Sequence, residues 1–564
     1  MPSRERQALI GCDVSTLPSS NSEPWLNPVA VAVLCWALGI LAVFQPMFAS
    51  GFSLTPGWPE HDPRLVNFML EYRYQWLLGA PQVQLGSPPI FFPVLGVANY
   101  SEPVLAMLPF YVPFRAVGLD AYGSYQAWLL LIWSLNYIAG VVFLRRAFGI
   151  GLVAASVGAF VFAFGSSRVA NLTKPHLIPH FFLVLAILAL FTIFRAPKGE
   201  SRQRPWGATA LFFAALVAQF YTAFYPLYFF VLALLAALFW ALAFRDTRGV
   251  TLSGMRSVVL PAVVWSLVAG ALCWPLAAGY FDAAASVGVR SLENDKLTQW
   301  FSWVLLGPGN WFYGWLDALP RLRPWSRSLH QNGLGFLTLF LALFGLWRGR
   351  RRPAVRLFVL VSLSIFVLTL RFPGDWSLWS GVRIALPGGE AIRAVARIGA
   401  LAVFPVAIGL GLFFDRRGGP WLSVGLIVLA LVCFGEQVHR RSGFDRDFVA
   451  WRVDRIAEEV PGDCRSFFLA TTGRGGDDSV HDDAMWVALQ TGIPTVNGRY
   501  GNIPPGWELR QSHFASLEQK RELEARLGRW RSLWQLDSDE VCWVEVDRAR
   551  QFREWRAQGV DGLG

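Results

Sequence analysis

SEPVLAMLPFYVPFRAVGLDAYGSYQAWLLLIWSLNYIAGVVFLRRAFG, residues 101–149, contains two apolar stretches of which one suits a membrane crossing. The first carries Pro109, Pro113 and Arg115, which break a helix and charge it, so 101–120 reads as a helix lying at the interface. The second, 122–144, is unbroken and ends at Arg145–Arg146. Were 101–118 also a crossing, those arginines would fall outside, against the tendency of basic residues to remain inside.

Working outward from that choice, the preceding crossing is 25–48, with the N-terminus inside and residues 49–120 outside. The first segment is long and lacks a clear small-residue cleavage site, so it reads as a retained anchor. Downstream, 150–166 goes out, 176–194 returns to Arg195 and Lys198, 206–223 goes out and 225–244 returns to Arg245. Segment 257–279 leads to a long external loop, 280–330, holding Trp300, Trp303, Trp311, Trp315 and Trp325. Segment 332–347 ends at WRGRRR, the densest basic cluster, which sets that end inside. Then 354–371 goes out, 399–414 returns to Arg416–Arg417, and 420–437 goes out, about eleven crossings of about 17–25 residues each.

Composition agrees. Of 564 residues, 54% are hydrophobic and 16% charged, which excludes an ordinary water-soluble globule. The net charge of +11 would suggest nucleic acid in a soluble protein, but these arginines sit at the ends of apolar runs, so no nucleic-acid partner is expected. The expected fold is an all-α polytopic membrane protein with external juxtamembrane helices and a small C-terminal α/β extracytoplasmic domain. Its parts are a cytoplasmic tail, 1–24; a transmembrane domain, 25–437; and an external domain, 438–564, mixing strand-like runs (SFFLATT, CWVEVD) with helical ones. Cys12, Cys35, Cys273 and Cys433 lie in or before the membrane part. Cys464 and Cys542 each begin a strand-like segment and would pair if the tail lies in an oxidising compartment.

Three clusters carry chemistry. In GWPEHDPRLVNFMLEYRYQWLLG, residues 57–79, Leu65, Phe68, Met69, Tyr72 and Trp76 form an apolar stripe suited to an interface, with Arg64, Asn67, Glu71, Tyr74 and Gln75 opposite. Asp62 before Pro63 suits a helix N-cap; it also suits a general base, with Glu60 or Glu71 as alternate or partner and Arg64 beside it. Both roles can coexist. Glu60, His61 and Asp62 would suit a divalent ion, but solvated acids beside a cap are commoner, so no metal or other cofactor is expected. The second cluster, GSSRVANLTKPHLIPH at 165–180, offers Arg168, Lys174 and His176 on the same side, as substrate ligands or as snorkelling cations of a solvated turn. The third, LPGGEAIRAVARIGALAVF at 386–404, sets Arg393 and Arg397 four residues apart at the outer start of a crossing, opposing both the charge bias and the helix dipole. Glu390, a phospholipid headgroup or a substrate phosphate would compensate them.

This order of features, with EHDPRL, LEYRYQWLLG, FFP, LRRAFG and IRAVARI, resembles the N-terminal module and bundle of GT-C-fold glycosyltransferases, nearest to the mannosyl- and aminoarabinosyl-transferase branch and YfhO-like membrane proteins. The resemblance implies a polyprenyl-phosphate-linked sugar donor, an acceptor hydroxyl on a glycan, lipid or protein, and an acid of the first external loop, Asp62, as base. It implies a bacterial cytoplasmic membrane enzyme working on the outer face, with membrane lipid around it and Arg393 and Arg397 on the donor phosphate. Two rivals are a lipid or oligosaccharide flippase or transporter and a non-catalytic assembly factor for envelope polysaccharide. The near absence of Asp, Glu and Lys from the centres of the crossings favours a surface reaction over a conduit.

Overall fold

The computed structural model describes residues 27–57, 60–195, 203–288, 294–320, 322, 328–415, 420–472 and 477–558. The tail 1–24 with Cys12, together with Lys198, Trp325 and Arg416–Arg417, lies outside them. The bundle is built from α1 (Pro28–Ala49), then, after the external helices α2 (His61–Leu77) and α3 (Leu108–Ala116), from α4 (Ala121–Phe148), α5 (Leu152–Phe164), the single turn α6 (Ser166–Val169), α7 (Phe181–Arg195), α8 (Gln203–Phe220), α9 (Phe224–Ala243) and α10 (Arg245–Val287). It continues with α11 (Phe336–Gly349), α12 (Pro353–Thr369), the short α13 (Trp379–Ala385), α14 (Val403–Phe414) and α15 (Pro420–Gly435). Among the described residues, seven helices are long and apolar enough to cross a membrane and four shorter ones are apolar, and together they fall on the eleven expected segments. The chain is a multi-pass membrane protein.

The stretch 101–120 does not cross: α3 spans nine residues and ends beside Arg115. Two features differ from the sequence expectation. First, α10 runs unbroken for 43 residues through Pro261 and Pro275, about 65 Å at 1.5 Å per residue, so it extends well beyond a core of about 30 Å. Second, α2 is no interfacial helix with a wet polar face. Every residue from Pro63 to Arg73 is buried, because the C-terminal region covers one side of the helix and α3, α4 and the turn at Pro175–Leu177 cover others. Nor is Asp62 the N-cap: the helix starts at His61 with Glu60 at the cap position, leaving Asp62 in the first turn. Within the bundle α11 crosses α14 where Gly345 meets Gly409; a Cβ on either would collide with the other helix's backbone, so the pair permits close approach.

The C-terminal half contributes α16 (Arg446–Glu459), α17 (Asp477–Thr491), α18 (Leu517–Leu533) and α19 (Arg548–Ala557). The strands are β1 (Leu54–Pro56), β2 (Gly443–Asp445), β3 (Ser466–Thr472), β4 (His513–Phe514) and β5 (Val541–Asp547). β3 lies between β4 and β5, parallel to both, and its apolar run Phe467–Ala470 is fully buried, as a parallel strand covered on both faces requires. Cys464 and Cys542 form a disulfide that ties the start of β3 to β5. This half is stitched to the first external loop. β1 pairs antiparallel with β2, Thr55 opposite Phe444. Phe91 and Phe92 donate backbone hydrogen bonds to Asn497 and Thr495 at 3.0 Å, and Tyr122 stacks on Trp486 at 5.2 Å.

The strongest tie is ionic. Buried Asp483 of α17 receives Arg64 Nη2 at 2.7 Å, Arg452 Nε at 2.8 Å and Arg548, while Glu60 accepts from Arg64 at 3.3 Å and Arg452 at 2.9 Å. Burial would raise the Asp483 carboxyl, yet Arg452, Arg548 and Arg64 hold it far below the usual carboxylate range. Replacing Asp483 with Asn should therefore cost about 3–5 kcal/mol, because three guanidinium groups lose the anion that justifies their burial. Denaturant unfolding of the full chain in detergent, followed by tryptophan fluorescence, measures this; a loss under about 0.5 kcal/mol would show that the lattice is incidental.

Candidate functional site

Asp62 stands beside that lattice but turns out of it. Its Oδ1 accepts a hydrogen bond from Arg499 Nη1 at 2.9 Å, its side chain keeps 32% exposure, and Arg499 Nε donates to Asp482 Oδ1 at 2.9 Å. His61 lies 3.6 Å from the other Asp482 oxygen. Burial raises the Asp62 pKa, but Arg499 and then Lys174 outweigh it and hold it at about 2, so the carboxylate is ionised throughout the physiological range.

Segment 174–176 reaches Asp62 because the turn after α5 is pinned from within. Arg168, expected to contact substrate, is wholly buried: its Nε donates to the Phe162 carbonyl at 2.9 Å and Nη1 to the Ile178 carbonyl at 2.6 Å. Asn136 of α4 adds a bond to the same Ile178 carbonyl and accepts from the His180 amide. With both arms of the turn held, Lys174 and His176 sit in electrostatic reach of Asp62 and of Arg397. Burial, then Arg397, lowers the Lys174 pKa, and Asp62 only partly restores it.

Arg393 and Arg397 belong to the segment that leads into α14. The Arg397 guanidinium lies over the Tyr225 ring at 4.5 Å, and the Tyr225 hydroxyl accepts from the Arg393 amide at 3.1 Å. Arg393 Nη2 donates to the Gly501 carbonyl at 3.2 Å, two residues from the arginine that holds Asp62. Loop 499–501 thus bridges Asp62 to the arginine pair. Tyr225 and this loop were not legible in the sequence, and neither was Glu102. The Glu102 Oε2 accepts from the Phe224 amide at 2.6 Å; burial drives its pKa up to about 7 against that bond and Arg397.

Other expected residues are elsewhere. Glu71 receives Arg115 through Nε at 2.9 Å and Nη2 at 3.0 Å, and Tyr111 at 2.7 Å, clamping α2 to α3 far down the helix from Asp62. Arg64 is fully enclosed by Asp483 and Glu60, and Glu60 is spent on Arg64 and Arg452, so neither faces open space. These are corrections: the C-terminal region supplies the partners of Arg64 and Glu60, and α3 supplies those of Glu71, none of which residues 57–79 reveal. Among the described residues no group of three or more His, Cys, Asp or Glu gathers as metal ligands; Glu60, His61 and Asp62 face separate partners.

No family model and no curated protein matches the sequence. Among solved structures, the chain is similar to the archaeal oligosaccharyltransferase AglB from Archaeoglobus fulgidus in complex with an inhibitory peptide and a dolichol-phosphate, with a TM-score of 0.51 at 11% identity over 89% of this chain and 68% of that one. The mycobacterial arabinofuranosyltransferase AftD gives 0.45 at 18% identity, covering 80% of this chain and 30% of that one. ArnT from Cupriavidus metallidurans bound to undecaprenyl phosphate gives 0.33 at 14%, covering 83% and 89%. The first likeness establishes the fold: the chain is a GT-C-fold membrane protein. The other two, below 0.5, add nothing to it.

The two carboxyls predict opposite pH behaviour. Asp62 has its folded pKa lowered to about 2 from 3.8, so its stabilisation is present above pH 3.8 and lost as pH falls toward 2. Glu102 has its folded pKa raised to about 7 from 4.5, so it costs stability as pH rises from 4.5 to 7. Glu102→Gln should melt like the parent at pH 4 and higher than it at pH 8. A constant difference in melting temperature between those two pH values would mean that Glu102 is not held protonated by the fold.

Proposed function

From the GT-C fold of this chain we propose that it is a membrane glycosyltransferase that moves a sugar from a polyprenyl-phosphate donor to an acceptor hydroxyl. The site lies at the outer face of a bacterial cytoplasmic membrane. The observation that carries this reading is the convergence of Asp62, Lys174, His176 and Arg397 at one end of the bundle, from segments more than three hundred residues apart in the chain. An ionised carboxylate lies within electrostatic reach of Lys174 and Arg499, and Lys174 within reach of Arg397, which suits a reaction that takes a proton on one side and leaves a phosphate anion on the other.

The Asp62 carboxylate accepts the proton of the acceptor hydroxyl as its oxygen bonds to the anomeric carbon. The bond from that carbon to the phosphate oxygen breaks, and its electron pair leaves with the polyprenyl phosphate. Arg393, Arg397 and Lys174 hold that phosphate and stabilise the charge it gains. Arginine suits the task because its donors form a fixed fork matched to phosphate oxygens. With Arg499 in place Asp62 is a weak base; because Arg499 also bonds Asp482, it can shift toward that second acid as the hydroxyl approaches.

Asp62→Asn should lower transfer from a labelled polyprenyl-phosphate sugar by about 10²–10⁴-fold, the usual contribution of a general base, while the protein remains folded in detergent. Arg397→Gln should weaken donor binding as well as turnover. Wild-type transfer by Asp62→Asn removes Asp62 from the mechanism. Movement of intact donor across liposomes without transfer would instead identify a flippase.

A further inference from the structure

From Ile398 and Leu401, beside Arg397, down to the helix ends that carry Arg145 and Arg195, the helices do not close on one another. A cavity of about 3760 Å³ opens between α4, α7, α9, α10, α11, α12 and α14, several times the roughly 300–1,000 Å³ of an ordinary ligand pocket. α10 forms its outer wall and is loosely packed: only 6% of its most apolar window is buried. Alongside the cavity run apolar side chains such as Leu234, Phe358 and Phe404. Water in so large an apolar space would leave that surface unfavourably hydrated, and side chains do not fill it. A hydrocarbon occupant fits it.

The mouth is of opposite character. Arg145 and Arg146 end α4, Arg195 ends α7, Arg351 and Arg352 precede α12, and Arg245 opens α10, all on the cavity lining. The rim is built: Arg195 Nη1 donates to the Arg146 carbonyl at 3.0 Å and Arg352 Nη1 to the Phe148 carbonyl at 3.3 Å, binding three helix ends together. Asp246 is the one acid on the lining among the described residues, and Arg356 already engages it at 2.5 Å. The inside bias of basic residues explains arginines at helix ends. It does not explain why so many of them ring the mouth of one hydrocarbon-sized space with a single neutralised acid among them.

We propose that this cavity is a binding site for a membrane phospholipid with an anionic headgroup, its acyl chains lying between α9, α12 and α14 and its phosphate held by Arg145, Arg146 and Arg351. Basic pockets between transmembrane helices recognise such headgroups by charge, while the chains contribute buried apolar area. The occupant props α10 against the bundle, filling the gap its own side chains leave. The arginines that hold the phosphate lie at the end of α4 opposite to Tyr122 and the Asp62 junction, and the site needs no sugar donor, so it stands whether or not the chain transfers a sugar.

The test uses the full chain, purified in mild detergent and reconstituted into nanodiscs of phosphatidylglycerol or of phosphatidylcholine. Lipid retained through purification is identified by native mass spectrometry. Phosphatidylglycerol should be retained in preference to phosphatidylcholine and should raise the melting temperature. Arg145→Gln with Arg146→Gln should reduce that preference about 25-fold, at about fivefold for each arginine, and leave melting in phosphatidylcholine unchanged. Arg351→Gln alone should give the single step, which covers failure of the double variant to fold. Ala237→Trp, placed on the lining, should reduce the number of lipids retained. Equal retention of both phospholipids, an unchanged preference in the arginine variants, or retention of polyprenyl phosphate in place of phospholipid would each overturn the proposal.

Discussion

Charge neutrality in a dry place governs the external half of this protein. Four arginines, Arg64, Arg452, Arg499 and Arg548, face four acids, Glu60, Asp62, Asp482 and Asp483, across the junction between α2 and the C-terminal half. Each such charge would cost several kcal/mol to bury alone, so neither side of the junction can be dry without the other. The two therefore form one body, sharing an apolar core that runs from Phe44 in α1 through Phe91 of the first loop to Trp530 of α18. Asp62, with 32% of its side chain exposed, is the most open member of this set.

The membrane half supplies the other wall of the site. Its helices are ordinary apolar spans, and their connections at the Asp62 end are pinned by buried polar groups: Arg168 and Asn136 hold the turn that carries Lys174, and Tyr225 holds the approach of Arg393 to α14. Polar groups in such surroundings are costly unless bonded, so each bond also sets a direction for the backbone it grips. The loop around Arg499 closes the arrangement from the third side. A tail that reads as an appendage is part of the site's frame.

Some of this was legible in the residues. Apolar length and the placement of Arg145–Arg146 and WRGRRR determined the number and positions of the helices, because crossing a hydrocarbon core demands a minimum apolar length and basic residues resist leaving the inside. The oddity of Arg393 and Arg397, two cations at the start of an apolar run, was also visible, since cations there oppose the helix dipole. Glu71, Arg64 and Arg168 were misread because residue type alone cannot distinguish a cation or acid awaiting a ligand from one already satisfied, whether by a remote residue, as Asp483 satisfies Arg64, or by the carbonyls of its own turn, as for Arg168.

The sequence by itself determined the helices, the helix ends at which basic residues gather, and the candidacy of Asp62, since those follow from composition and spacing over at most a few turns. Only the tertiary structure decided which charges are spent on one another, that Arg499 meets Asp62 and Glu102 lies near Arg397, and that the bundle leaves a space whose far mouth is rimmed by arginines. Ion pairing and cavity shape depend on distances between segments remote in the chain, and no local pattern encodes those distances.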